Sequence, residues 1–495
     1  MKWCLGITLS VVLSVSIFTA PAIATEEYMQ AHAAIDVRTN VGDGRYSLSQ
    51  IAELARKSDV RIIIATDGLL NRWQYGLWPL RNIIKKTVET KSVVKFGVRR
   101  YLDQIKNAQR DNPDMIFLSS VEASPFYYWD GSPFGNRFNI KDWHRHLLVI
   151  GLESVRDYKN LPMIGNGLSL AKPFGFPDLL RFLFLLFLFW VGVRAVKSGS
   201  GQQDIYERKF GMSVHHLKKI GICIVIIASL LLINDFPFRS FKYDQYHGSG
   251  GAIPYQNLID YVNARGGTTF WAHPEAKNVE KIGRVNIETA EHSDLLLETT
   301  GYTGFAIFYE GYERVGSPGR VWDEALKDYC RGIRPSPVWA IGSLAFEKAG
   351  NLGEYMTDLR TVFLLSHFTK ADVVSALKEG RMYVSKDREA VNFALDKFSV
   401  KDQSGPVEKI MGQTLVMSGK PRIIIKGRFI NKDTKSVTIT VIRSGEIIKV
   451  MGSTAPFAID FEDNDIIKEN KFYYRAEIRA EGLFVVTNPV FVSRE

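Results

Sequence analysis

Apolar positions along this chain follow two periodicities. Short continuous runs bounded by turn residues alternate with stretches in which apolar residues recur every three or four positions. The first run covers residues 34–38, and Gly42, Asp43 and Gly44 turn the chain after it. Ser47 and Gln50 then have the spacing of a capping box, with Ile51, Leu54 and Ala55 following at helical intervals. Residues 60–65 form a second run, closed by Thr66, Asp67 and Gly68. This strand, turn, helix, strand order predicts a parallel α/β fold. The rhythm returns later, with a helix over 255–264, strands over 268–272 and 295–298, a helix over 321–330 and a strand over 338–341. Thr369 then caps a helix stopped at Gly380, and residues 382–385 read as a strand. Beyond about residue 413 the pattern is β. Runs at 422–426, 436–441 and 472–478 lie between polar turns, which predicts a small β-sandwich over residues 410–495.

Two segments break this rhythm. Residues 176–193 and 220–233 are almost wholly apolar. A membrane-spanning helix needs roughly 20 such residues, a length reached when the flanks are included. Between them lie Arg194, Lys197, Arg208, Lys209, Lys218 and Lys219. Basic loops face the cytoplasm, so residues 175–236 are expected to form a transmembrane hairpin with a cytoplasmic basic loop. Residues 1–24 read as a signal peptide: Lys2, an apolar stretch over 5–18, and Ala22 and Ala24 in a small-x-small cleavage pattern. Residues 25–174 and 237–400 would then both be exported. They could meet as two halves of one barrel, anchored in the inner membrane with the large domains in the periplasm.

Charge and cysteines narrow the partners. The formal charge is +10, with basic residues scattered and no basic run interleaved with aromatics. That pattern fits attraction to anionic surfaces, and nucleic acid is not an expected partner. Cys223 lies in an apolar segment and Cys330 is alone in the exported part, so no disulfide links the exported regions.

Three residues carry candidate chemistry. Glu122 and His273 close apolar runs, where a β/α barrel places its working side chains, whereas His146 opens one. Two imidazoles and a carboxylate make a metal site with coordination positions left open.

The ordered motifs resemble a known family. Asp36 to Asp67, Glu122 after a strand, His146 before Leu147 and Leu148, and Ala272-His273-Pro274 are similar in order to the landmarks of the PHP (polymerase and histidinol phosphatase) superfamily. Arg360-Thr-Val-Phe-Leu, Ala376-Leu-Lys-Glu-Gly-Arg381 and Thr487-Asn-Pro look like its carbaryl-hydrolase-like branch. The resemblance implies a distorted (β/α)7 barrel holding up to three divalent metals that hydrolyse phosphoesters or other esters. This chain departs from it. Arg38 and Asn40 stand where the family has a His-x-His pair, Gly68 where it has a His, and Leu344 and Phe346 where it has an Asp and a His. What remains implies one divalent metal (Zn, Mn or Fe) on Glu122, His146 and His273. Asp67 or Asp36 would assist catalysis, and Arg38 would bind an anionic group. Two functions stay open: a membrane-anchored phosphoesterase or esterase reduced to one metal, or an inactive pseudoenzyme without metal that binds an anion or a protein partner.

Overall fold

In the computed structural model, described over residues 28–197, 214–349, 355–387, 392–465 and 469–494, seven strands close into a barrel. They are β1 (Met29–Val37), β2 (Ile62–Gly68), β3 (Ile116–Ala123), β4 (Leu147–Ile150), β5 (Thr268–Trp271), β6 (Gly304–Phe308) and β7 (Trp339–Phe346). Pairing runs β1–β2–β3–β4–β5–β6–β7 and returns from β7 to β1. The fold is thus mixed α/β around a seven-stranded barrel. Six strands are parallel. β4 is the exception, antiparallel to both β3 and β5, which corrects the all-parallel expectation. Four buried residues with no alternation carry no directional signal, so sequence alone leaves the strand's sense open.

Helices cover the barrel. Helix α1 (Leu48–Lys57) starts at the expected capping box: the Ser47 hydroxyl accepts the Gln50 N–H, and the Gln50 side chain accepts the Ser47 N–H. Helix α2 is Val98–Asp111. Residues 295–298, read as a strand, are instead one helical turn. Three leucines without a β-branched neighbour favour that outcome.

Two long helices interrupt the barrel, α3 (Phe176–Lys197) and α4 (Val214–Asp235). Gly192 and Gly221 allow their backbones to touch. A Cβ on Gly192 would lie 3.0 Å from the Gly221 carbonyl oxygen. The proposed signal peptide, and Arg208 and Lys209 of the basic loop, fall outside the described residues. After this pair come α5 (Ile253–Asn263), α6 (Val321–Cys330) and α7 (Lys370–Glu379). Helix α7 ends at Gly380, which takes the left-handed conformation with φ of 74°.

The barrel sheet extends beyond the barrel. Strand β8 (Leu359–Leu365) pairs antiparallel with β1, and β9 (Met382–Asp387) pairs with β8. Strand β9 then pairs with β10 (Leu483–Thr487), so the C-terminal strands continue the same sheet. A separate four-stranded sheet begins at Phe393, ahead of residue 410. The two sheets pack over a second apolar core, with Leu395, Phe398 and Ile425 on one side and Ile439, Ala476 and Val485 on the other. A buried ion pair fastens α6 to this region. Arg475 donates to both oxygens of Asp323 at 2.9 and 2.7 Å, and both side chains are fully buried.

Candidate metal centre

The C-terminal ends of β1, β2, β3 and β5 meet at one mouth of the barrel. Glu122 is the penultimate residue of β3, and His273 follows β5 by two residues. His146 immediately precedes β4. Because β4 runs antiparallel, its beginning lies at the same mouth, with Leu147 beside Ala123 and Trp271. The residue that opens a run therefore joins the two that close theirs.

One ligand atom from each residue lies within 4.8 Å of the other two. His146 Nδ1 is 2.8 Å from Glu122 Oε1, His273 Nε2 is 3.2 Å from His146 Nδ1, and His273 Nε2 is 3.8 Å from Glu122 Oε1. A triangle with those sides has a circumscribed radius of about 1.9 Å. Zinc bonds to imidazole nitrogen and carboxylate oxygen run about 2.0–2.2 Å, so one ion reaches all three atoms without moving them. A single ring nitrogen facing both an oxygen and another ring nitrogen also cannot satisfy both with one proton. The side chains of His146 and His273 are 14% and 24% exposed, which leaves an approach to the site. The residues fit a mononuclear dication, and Zn, Mn and Fe all accept this donor set.

The surroundings are strongly anionic. Arg38 sits beside the triad with Nη2 3.3 Å from Glu122 Oε2 and Nη1 3.2 Å from Glu347 Oε1. Asp36 and Asp43 complete its shell at 3.9 and 4.0 Å. Four carboxylates thus face one guanidinium. Burial opposes ionisation of Glu122, but Arg38, His146 and His273 outweigh it and hold the carboxyl well below the usual carboxylate range.

Asp36 and Asp67 differ in what their oxygens do. Asp36 is buried with φ of 64°, at a register shift between Ile35 and Val37. Its Oδ2 accepts the Ser343 hydroxyl at 2.8 Å, while Oδ1 has no hydrogen-bond partner. Burial pushes its carboxyl toward the protonated form, and Glu122 adds to that. Asp67 accepts the Thr39 N–H, the Thr39 hydroxyl and the Gly42 N–H. It fixes the loop after β1, and burial raises its carboxyl to about 6. A Cβ on Gly42 would meet Asp67 Oδ1 at 2.6 Å, so the loop needs glycine there.

Other side chains at the mouth were not legible as participants. Ser343 holds Asp36, and Glu347 holds Arg38. His144 packs with its ring 5.6 Å from that of His146, and burial lowers it to about 4. His292 packs near Trp271 and His273. Burial holds it well below the usual imidazole range, with His273 adding to that. Phe126 and Tyr127, which follow Glu122 on the next loop, are packed rather than open, each 1% exposed.

No family model matches the sequence, and no curated protein matches it. Similar solved structures include two described as metal-dependent phosphoesterases, one of them as PHP-like, and an amidohydrolase, each at 10–12% identity. A two-domain protein containing a predicted PHP-like metal-dependent phosphoesterase from Bacteroides vulgatus overlays at a TM-score of 0.35 and 10% identity, over 91% of this chain and 90% of that one. An amidohydrolase from Chromobacterium violaceum, with bound sulfate and no metal, overlays at 0.25 and 12% identity, over 65% of this chain and 89% of that one.

Proposed function

We propose that the chain is a membrane-anchored, metal-dependent hydrolase of esters or phosphoesters, of the carbaryl-hydrolase-like PHP type, working with one divalent ion. The convergence of Glu122, His146 and His273 carries this reading. Those three residues would hold a dication, which would supply water activation and polarisation of the scissile ester. Glu122 stays ionised beside Arg38 and supplies the negative ligand. His146 and His273 offer ring nitrogens and remain partly exposed to an entering substrate. Asp36, whose buried Oδ1 accepts no hydrogen bond and lies 3.9 Å from Arg38 Nε, would serve as the proton acceptor for water at the site. Asp67 acts through the loop it fixes, as a positioning residue. Arg38 is shared among four carboxylates, which makes it a counter-ion more than a receptor for an external anion.

Membrane anchoring rests on α3 and α4. Each is long and apolar, and most of its apolar side chains are exposed or half-buried rather than packed in the protein core. Arg194 and Lys197 end α3, and Lys218 and Lys219 lie in the first turns of α4. These cations mark the cytoplasmic end. The barrel and the C-terminal sheets, the latter a sandwich-like packing module, then share the periplasmic side.

A second reading has its own observation. The ion pair from Arg38 to Glu122 gives that carboxylate a permanent cation, as an inactive binding module would need. Loading the detergent-solubilised full chain with Zn, Mn or Fe and assaying 4-nitrophenyl phosphate, methyl 4-nitrophenyl phosphate and 4-nitrophenyl acetate separates the two. Turnover lost in His273→Ala supports the hydrolase. A metal-loaded chain inert toward all three probes supports the binding module.

A further inference from the structure

The helical pair does not leave the barrel at random: it stands on the mouth. Residues 124–129 continue directly from Glu122 and β3, and the Pro125 carbonyl accepts the Ile164 N–H. The segment leading into α3 and the segment leaving α4 are laced together there. Lys172 donates its N–H to the Ser240 carbonyl, and Lys242 donates to the Leu170 carbonyl. Asp178, in the first turn of α3, accepts the Ser240 N–H at 3.1 Å. The returning segment packs back on the loop after Glu122: Phe126 meets Tyr243 edge-on at 5.8 Å, and the Trp129 N–H donates to the Gln245 carbonyl.

A β-hairpin grafted after β2 joins the same platform. Its strands, Arg72–Gly76 and Lys85–Glu89, follow the mouth end of β2 at Gly68. Tyr246 accepts the Gly76 N–H at 2.8 Å, and Arg81 stacks on the Tyr246 ring at 3.9 Å. At the tip, the Asn82 N–H and side-chain amide donate to the Asn234 side chain and carbonyl, both at 2.8 Å. Asn234 is the penultimate residue of α4. The hairpin tip is thereby bolted to the end of an apolar helix.

What that tip exposes is apolar and aromatic. Trp78 is 79% exposed and Ile84 48%, while Phe174, Phe176, Phe236 and Phe241 are exposed where the helices are rooted. Lys85 and Lys86 are exposed beside them. Tryptophan and phenylalanine with flanking lysines suit the boundary between acyl chains and anionic headgroups. No other feature of the platform explains that much exposed apolar surface next to the spanning helices.

We propose that the barrel mouth opens toward the bilayer, with the hairpin of residues 72–89 seated in the interface as a third membrane contact. The substrate is then a lipid-borne ester or phosphoester, its polar linkage presented at headgroup level below the Glu122, His146 and His273 site. This substrate class rests on the hydrolase reading above, whereas the seating of the hairpin does not.

The test uses the full chain, loaded with Zn or Mn, in vesicles of phosphatidylcholine and phosphatidylglycerol. Bimane is placed on Trp78→Cys, Ile84→Cys or, at the far end of the barrel, Lys57→Cys, with the native cysteines replaced by serine. Lipids bearing a headgroup nitroxide should quench the two hairpin positions at least about threefold more than position 57. Equal quenching overturns the orientation. In the same vesicles, hexadecyl 4-nitrophenyl phosphate and 4-nitrophenyl hexadecanoate are compared with their methyl and acetate counterparts. The matching long-chain probe should turn over about 10-fold faster or more, because the membrane concentrates it at the mouth. Trp78→Ser with Ile84→Ser should reduce that preference and leave the short-chain rate unchanged. Equal or faster turnover of the short-chain probe overturns the lipid substrate while keeping the hydrolase. Silence on all four probes overturns the hydrolase and, with it, the substrate class.

Discussion

His273 Nε2 lies 3.2 Å from His146 Nδ1, although 127 positions and a pair of long apolar helices separate them. The barrel closes around that insertion because both halves supply adjacent strands: β4 from the first pairs with β5 from the second. The insertion therefore leaves the mouth intact.

Removing the carboxylate should empty the site. Glu122→Ala takes away the charged ligand, and metal content measured by mass spectrometry should fall from about one ion per chain to near zero. A variant that retains its ion would place the metal elsewhere.

Arg38 competes with a cation for Glu122. Arg38→Met should raise zinc affinity by about 10-fold in calorimetric titration, because a fixed positive charge beside the ligand is gone. Unchanged affinity would mean that guanidinium and ion do not share the carboxylate.

Acid should weaken the fold through His292. Burial keeps its ring neutral in the folded chain at a pH where an unfolded imidazole binds a proton. The stability linked to it is complete above about pH 6.5 and is lost as pH falls below that, at up to about 1.4 kcal/mol per pH unit. Asp67 works the other way. Its carboxyl, raised to about 6, keeps a proton in the folded state that an unfolded aspartate releases above about pH 4. Its contribution grows as pH falls through 6. Comparing wild type with His292→Phe cancels the Asp67 part. The difference in unfolding free energy should slope with pH below 6.5, and a flat difference would remove His292 from the account.

The buried pair of Asp323 and Arg475 ties α6 to the C-terminal sheet. Asp323→Ala strands the guanidinium and the Tyr473 hydroxyl, which also bonds to Asp323. The expected cost is about 3–5 kcal/mol, read as a lowered unfolding midpoint in detergent. A midpoint within error of wild type would show that the pair contributes nothing net.

Topology has its own readout. A reporter enzyme active only outside the cytosol, inserted after Lys209, should be silent there and active when fused after Glu495. Activity after Lys209 would reverse the hairpin.

Much of this was legible before any coordinates. The capping box at Ser47 and Gln50 set α1, and Val321–Cys330 is a helix over the span the periodicity marked. Strand ends marked Glu122 and His273. What stayed hidden was direction and partnership. Leu147–Ile150 reads alike in either sense, so the place of His146 at the mouth follows only from the antiparallel run of β4. Arg38 reads in the sequence as an anion-binding residue, and its Glu347 partner, 309 positions away, lies beyond any local pattern. The pairing of β9 with β10 was hidden for the same reason: a strand's sequence encodes its faces but not its neighbour.

Anomalous diffraction at the zinc edge, on crystals of the zinc-loaded full chain, tests the central claim most directly. One peak within about 2.0–2.2 Å of Glu122 Oε1, His146 Nδ1 and His273 Nε2 is the predicted result. A featureless map at the barrel mouth, or a peak bound to other side chains, would contradict it.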